Sequence, residues 1–115
     1  MIFLFSCIIY FMWWGVSFLP IKFINGDWFL KNYSGMSLAP LIFYKNKRSI
    51  TNEKFVKHES CHIRQQRRFS PVLFLLLYLL EYILLRTVGG LSHFDAYWNL
   101  SWEEEAREAE TKEDL

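Results

Sequence analysis

Residues 49–69 read SITNEKFVKHESCHIRQQRRF, and three of them fix what the rest of the chain must supply. Good helix formers follow a polar start at which Thr51 or Asn52 can cap the first free N–H groups, so the stretch is expected to be a helix. Positions i and i+4 of a helix share a face one turn apart, which lets His58 and His62 reach a single metal ion. Glu59 stands one step round, where its carboxylate can meet a water on that ion; H-E-x-x-H is the spacing that zinc hydrolases use. Two imidazoles leave a tetrahedral site short of a protein ligand even when water fills one position. A third histidine further along is closed off, because the glycine and histidine positions of that longer motif fall on Gln65 and Arg68. A carboxylate on a later helix is the option that remains.

Residues 99–110, NLSWEEEAREAE, supply candidates on a Glu- and Ala-rich helix that Ser101 is expected to cap. Glu103 opens an E-x-x-A pattern whose Ala106 is small enough for two helices to approach closely. Glu105 is the reserve ligand, about 200° round the helix from Glu103, so only one of the two can face the histidines. The other acidic residues of this end, Glu104, Glu108, Glu110, Glu113 and Asp114, read as a solvated face and a fraying terminus. Gln65 and Gln66 follow His62 by three and four positions and so stand beside its face, able to orient a ligand or to pack. Cys61 is one step round from His62 and reads as helix filler. The segment with His93, Asp95 and Tyr97 reads as a loop whose side chains can donate to an oxyanion or brace a ligand.

In this order the motifs resemble the gluzincin peptidases, in which H-E-x-x-H is followed by E-x-x-A and usually an Asp or Asn. These include the membrane CaaX-processing and heat-shock type, the beta-lactam sensor peptidases and small soluble relatives that cleave repressors. HESCHIRQQ, LLEY and SWEEEA are more closely similar to a group of short uncharacterised bacterial and phage proteins carrying HExxHxRQQ and SFExEA, over about residues 33–110. The resemblance implies that His58, His62 and Glu103 hold one Zn²⁺ per chain and that Glu59 is the catalytic base. Arg107 stands where the larger families have Asp or Asn, which leaves the usual partner of a ligand histidine unassigned. Residues 37–44, SLAPLIFY, follow a Ser34-Gly35 turn signal and read as a strand that includes Tyr44, with Pro40 arguing for a sheet edge. In gluzincin-like folds such an edge pairs with extended peptide substrate; the plainer reading is a hairpin strand packed on the helix.

Outward from these motifs the charges fall into three zones of a 115-residue chain, long enough for one small domain. A content of 52% hydrophobic and 19% aromatic residues excludes disorder and low complexity. Residues 1–21, MIFLFSCIIYFMWWGVSFLPI, carry no charge; as a helix they would extend roughly 31 Å, a bilayer core. They read as a membrane anchor ended by Pro20, the alternative being a core or interfacial helix. A cleaved signal peptide lacks support, since there is neither a basic start nor a small-x-small site. Residues 22–71 hold ten basic residues against three acidic, net +7, which suits an anionic membrane rather than nucleic acid and by the positive-inside rule places the segment on the cytoplasmic side. The remainder is net −6. Cys7 and Cys61 make no disulfide framework.

A second apolar segment, residues 69–85, starts beside Pro71 and is closed by Gly89 and Gly90. At about 25 Å, with Glu81 inside it, it is marginal as a span. The candidate site bears on this: a spanning helix there would put His58 and Glu103 on opposite sides of a membrane. The segment is therefore expected to lie against the His-bearing helix or to enter one leaflet. The expected fold is mainly helical α+β, a minimal zincin-like domain over residues 22–115 with an apolar helix at 71–88, preceded by the anchor at 1–21. The expected activity is peptide-bond hydrolysis by a zinc-activated water on a peptide or protein substrate, with no nucleic-acid partner. The competing expectation is a small non-catalytic membrane protein, or a metal-binding module, in which H-E-x-x-H is incidental or inactive.

Overall fold

Residues Glu53–Phe69 form a helix against which the strand hairpin and two later helices pack. The computed structural model describes residues 1–31 and 33–112, so Glu113 and Asp114 lie outside the described residues. In chain order the elements are α1 (Ile2–Val16), β1 (Lys22–Asn25), β2 (Gly35–Leu38), β3 (Leu41–Tyr44), a 3₁₀ turn (Lys47–Thr51), α2 (Glu53–Phe69), α3 (Pro71–Thr87), α4 (His93–Trp98) and α5 (Ser101–Ala109). This is the mainly helical α+β architecture expected.

The single strand expected over residues 37–44 is two. β2 and β3 pair antiparallel across a turn at Ala39-Pro40, β1 joins β3 in parallel, and the sheet order is β1-β3-β2. Pro40 has no N–H for a ladder and sits in the turn; β3 is central, and β2 is an edge. Gln66, fully buried on α2, fastens this hairpin to the helix: its Oε1 accepts from the Ala39 N–H at 2.7 Å and its Nε2 donates to the Ser37 carbonyl at 2.9 Å. Ile63 of α2 packs on Ile42 and Ala39 below.

Asn52 resolves the choice of α2 cap, its Oδ1 accepting from the N–H groups of Lys54 at 3.0 Å and Phe55 at 3.4 Å. At the other end Ser70, at φ 71°, breaks the helix, and its Oγ caps α3 through the Leu73 N–H while Pro71 occupies the first helical turn. α2 and α3 meet at 110°, which folds α3 back across the site. Ser101 does not cap α5, contrary to expectation; it is the first helical residue. Glu81 of α3 does the capping, accepting from the Ser101 N–H at 2.6 Å and its hydroxyl at 3.0 Å. The one charge in the apolar segment thus has a structural use: a carboxylate at a helix N-terminus meets free N–H groups and the positive end of the dipole. α5 approaches α2 through Cys61, Ala106 and Ala109, all buried.

α1 is shorter than the 21 residues expected. It ends at Val16 after 15 residues, about 22 Å at helical rise. Among the described residues no single helix is long and apolar enough to cross a membrane; α2 and α3 pass that test only as a bent pair. The two tryptophans near the end of α1 tie it to the domain, Trp13 Nε1 donating to the Ala39 carbonyl and Trp14 Nε1 to the Arg67 carbonyl. Arg67 reciprocates, donating to the carbonyls of Ser17 and Leu19 at 2.6 Å each. Replacing Gln66 with Leu strands a buried N–H and a buried carbonyl, each worth about 1–3 kcal/mol; the urea midpoint of Gln66→Leu is expected to fall accordingly, with the helical circular dichroism of the folded state unchanged.

Candidate metal centre

His58, Glu59 and His62 offer ligand atoms that all lie within 4.8 Å of one another, a group that could hold a metal ion. α2 supplies all three, and α5 brings a fourth. The Glu103 carboxylate lies between the imidazoles, Oε1 at 3.0 Å from His58 Nε2 and Oε2 at 3.0 Å from His62 Nε2. Ala106, three residues on, allows this approach because a larger side chain would hold α5 away from Cys61. Glu105 faces elsewhere, with Oε1 near the Cys61 thiol and 3.1 Å from Gln65 Nε2. Burial and the Glu105 charge push the Cys61 thiol up to about 11, which keeps it protonated.

Each imidazole is held by its other nitrogen. His58 Nδ1 bonds Glu110 Oε2 at 2.8 Å, and His62 Nδ1 bonds Gln65 Oε1 at 2.8 Å. Gln65 also donates to the Trp102 carbonyl at 3.0 Å, so it ties His62 to α5. Glu110, expected on a solvated face, is half-buried against His58. It lies seven residues after Glu103, hence on the same helix face two turns later, and that period is the signal that identifies it. With both Nδ1–H groups donating, both Nε2 atoms are aimed inward, the arrangement that fixes a metal-binding tautomer.

Two tyrosines complete the Glu103 environment. Tyr78 on α3 donates to Oε2 at 3.0 Å and Tyr97 on α4 to Oε1 at 3.2 Å, so each carboxylate oxygen takes one imidazole and one hydroxyl. Burial and the charge of Glu103 push both hydroxyls well above the ordinary tyrosine range, and they stay protonated. Tyr78 escaped the sequence reading, although Phe74, Tyr78 and Tyr82 form an aromatic stripe at helical spacing along α3. The segment holding His93, Asp95 and Tyr97 is a short helix rather than a loop, capped by Ser92. Tyr97 braces the carboxylate, whereas His93 bonds Tyr33 and Tyr82 at the rim. Gln66 spends both ends of its amide on the hairpin, not on a histidine nitrogen. Glu59 is steadied from the sheet by Ser37, whose Oγ donates to Oε1 at 2.8 Å; no spacing in the sequence announces this contact.

The electrostatics follow from crowding three carboxylates round two imidazoles. Burial works against the His58 imidazolium, but hydrogen bonds to Glu103 and Glu110 and the charges of Glu59 and Glu103 outweigh it and raise its pKa to about 9. His62 is raised for the same reasons, with Glu103 the main partner. Burial alone would raise Glu103, yet the two imidazoles hold it far below the carboxylate range. Glu59 goes the other way: burial raises it, against the pull of His62, Ser37 and His58. A carboxylate that ionises but holds a proton easily is suited to general base work.

No family model, curated protein or solved structure matches the chain. The chemistry of the site rests on the residues themselves. In a chelated sample, His58 keeps its proton in the fold after the unfolded chain has released it near pH 6.5, so its contribution is complete below about 6.5 and is lost as pH rises through about 9. The melting temperature of chelator-treated protein is therefore expected to fall between those pH values, as followed by thermal denaturation.

Proposed function

We propose that this chain is a zinc-dependent peptidase that works at a membrane surface. The observation that carries the reading is the His58, Glu59 and His62 group on α2, with the Glu103 carboxylate set between the two imidazoles. Two neutral imidazoles and one carboxylate, each braced by a hydrogen-bond partner, are the donor set of a catalytic zinc site with one position left for water. His58, His62 and Glu103 would hold the ion, which when bound polarises a carbonyl and makes a water acidic.

The remaining work falls to side chains. Glu59 takes a proton from the attacking water and returns it to the leaving amine, its raised pKa making both transfers feasible. Ser37 keeps that carboxylate aimed into the cleft. Glu110 and Gln65 hold the imidazoles in one tautomer, and Tyr78 and Tyr97 fix Glu103. Purified protein should carry about one zinc per chain by elemental analysis, lost in His58→Ala and His62→Ala. Glu59→Gln should keep the zinc and lose at least ~100-fold of peptide hydrolysis; undiminished turnover in that variant removes the mechanism.

Membrane association rests on α1 and α3. No residue of α1 is buried, and Ile2, Phe3, Leu4 and Phe5 are each at least 64% exposed. Leu76, Leu79, Leu80, Ile83 and Leu84 extend an apolar surface along α3, and Tyr10 of α1 meets Ser70 at its start. Exposed apolar residues in such number on two helices mark a contact surface for a membrane or a partner. The pair would lie in one leaflet by its exposed apolar faces, the +7 segment meeting the anionic headgroups common on cytoplasmic faces. Flotation with vesicles containing phosphatidylserine is expected for the whole chain and is expected to drop sharply for Phe3→Ser/Leu4→Ser/Phe5→Ser; equal flotation of the two would count against this docking.

A further inference from the structure

Two cavities adjoin at Glu59, one mainly apolar and the other with polar and apolar walls in about equal measure. The larger, about 480 Å³, has walls from Met36 and Leu38 of the edge strand and Phe74, Leu75, Tyr78 and Leu79 of α3. The second, about 440 Å³, is mixed: Phe55 lines it beside Asn52, Lys54, His58 and Glu110. Both include Tyr33, Gly35, Glu59 and Tyr97. They are the two arms of one cleft, with Glu59 at the join, and each is large enough for side chains of a bound peptide.

We infer that the cleft selects a peptide segment whose polarity changes at the scissile bond, a large apolar residue seating against α3 and polar residues against the Asn52 end. The inference rests on the peptidase reading and adds its substrate class. Burying a large apolar side chain in the first arm is worth about 10–100-fold in affinity. The same side chain in the second arm would find one apolar wall in Phe55, but would strip water from Lys54, Asn52 and Ser49 without replacing their hydrogen bonds. A uniformly polar peptide wastes the first arm, and a uniformly apolar one is penalised in the second. Leu75 and Leu79, 38% and 53% exposed, belong at once to the cavity wall and to the outer apolar face of α3. The apolar arm therefore opens on the surface that carries the membrane reading, and the fitting substrate is the stretch where an apolar segment gives way to a polar one.

Zinc-loaded Glu59→Gln protein, which binds without turnover, allows a direct test by fluorescence anisotropy with four labelled peptides of equal length. One is uniformly polar, one uniformly apolar, and two carry a polarity change at the centre in opposite orders. The expected result is that one of the two mixed peptides binds at least tenfold more tightly than both uniform ones. Leu79→Glu and, separately, Met36→Ser are expected to reduce that preference to less than threefold without altering zinc content or melting temperature. Equal binding of all four peptides overturns the inference, as does a preference that neither variant moves. Cleavage of all four peptides alike by the wild-type protein would leave the peptidase reading standing and remove the polarity rule; discriminating binding with no cleavage of any peptide would do the reverse.

Discussion

The Glu103 carboxylate is shared between His58 and His62, and this bridge sets the relation of every helix around it. A carboxylate can serve two imidazoles only where two helices come within the reach of short side chains, which is what Cys61, Ala106 and Ala109 allow. Its oxygens also need other partners, since burying them with fewer would cost several kcal/mol. Tyr78 and Tyr97 fill that role from α3 and α4. The 110° bend at Ser70 is what brings Tyr78 there, and Glu81, one turn along α3, seats the first turn of α5. Capping thus joins α5 to α3 while the bridge joins it to α2.

The sheet does a second job with few residues. Three strands of four residues each cannot form a core alone. Their value lies in position, because Gln66 and Ile63 fasten the hairpin to the face of α2 adjoining the one that carries the histidines. Ser37 then reaches Glu59 from the edge strand, and the cleft lies between that edge and α3. A zinc peptidase reading of so short a chain asks for no more than this: one helix for the base and two ligands, one for the third ligand, and a wall on either side.

What could be read from the chain beforehand was whatever repeats at helical spacing. His58, Glu59 and His62 declare themselves by i, i+1, i+4, the approach of Ala106 by its size, and α3 by its apolar run between Pro71 and Gly89. Glu103 could be separated from Glu105 only as alternatives, since both lie on the helix and the choice depends on how α5 is rotated. Contacts that cross from one element to another left no trace: Ser37 on Glu59, Glu81 on Ser101, Trp13 and Trp14 on backbone carbonyls. Each joins residues far apart in sequence through a hydroxyl, carboxylate or indole that is common on surfaces. The split of residues 37–44 at Ala39-Pro40 failed for another reason, because an apolar strand with a proline reads alike whether the proline lies at an edge or in a hairpin turn.

His58 and Glu103 are 45 positions apart in the chain, and an ion held by both would close the loop between them. Such a closure acts as a covalent staple does, removing extended conformations from the unfolded ensemble, and the loop includes α3 and α4 whole. An ion that binds only the folded chain also stabilises it by mass action. A domain this small has little core to spare, with ten buried hydrophobic residues among those described. The supply of metal would then govern how much folded protein persists as well as how much of it is active, and starvation for the ion would be read out as loss of the polypeptide itself.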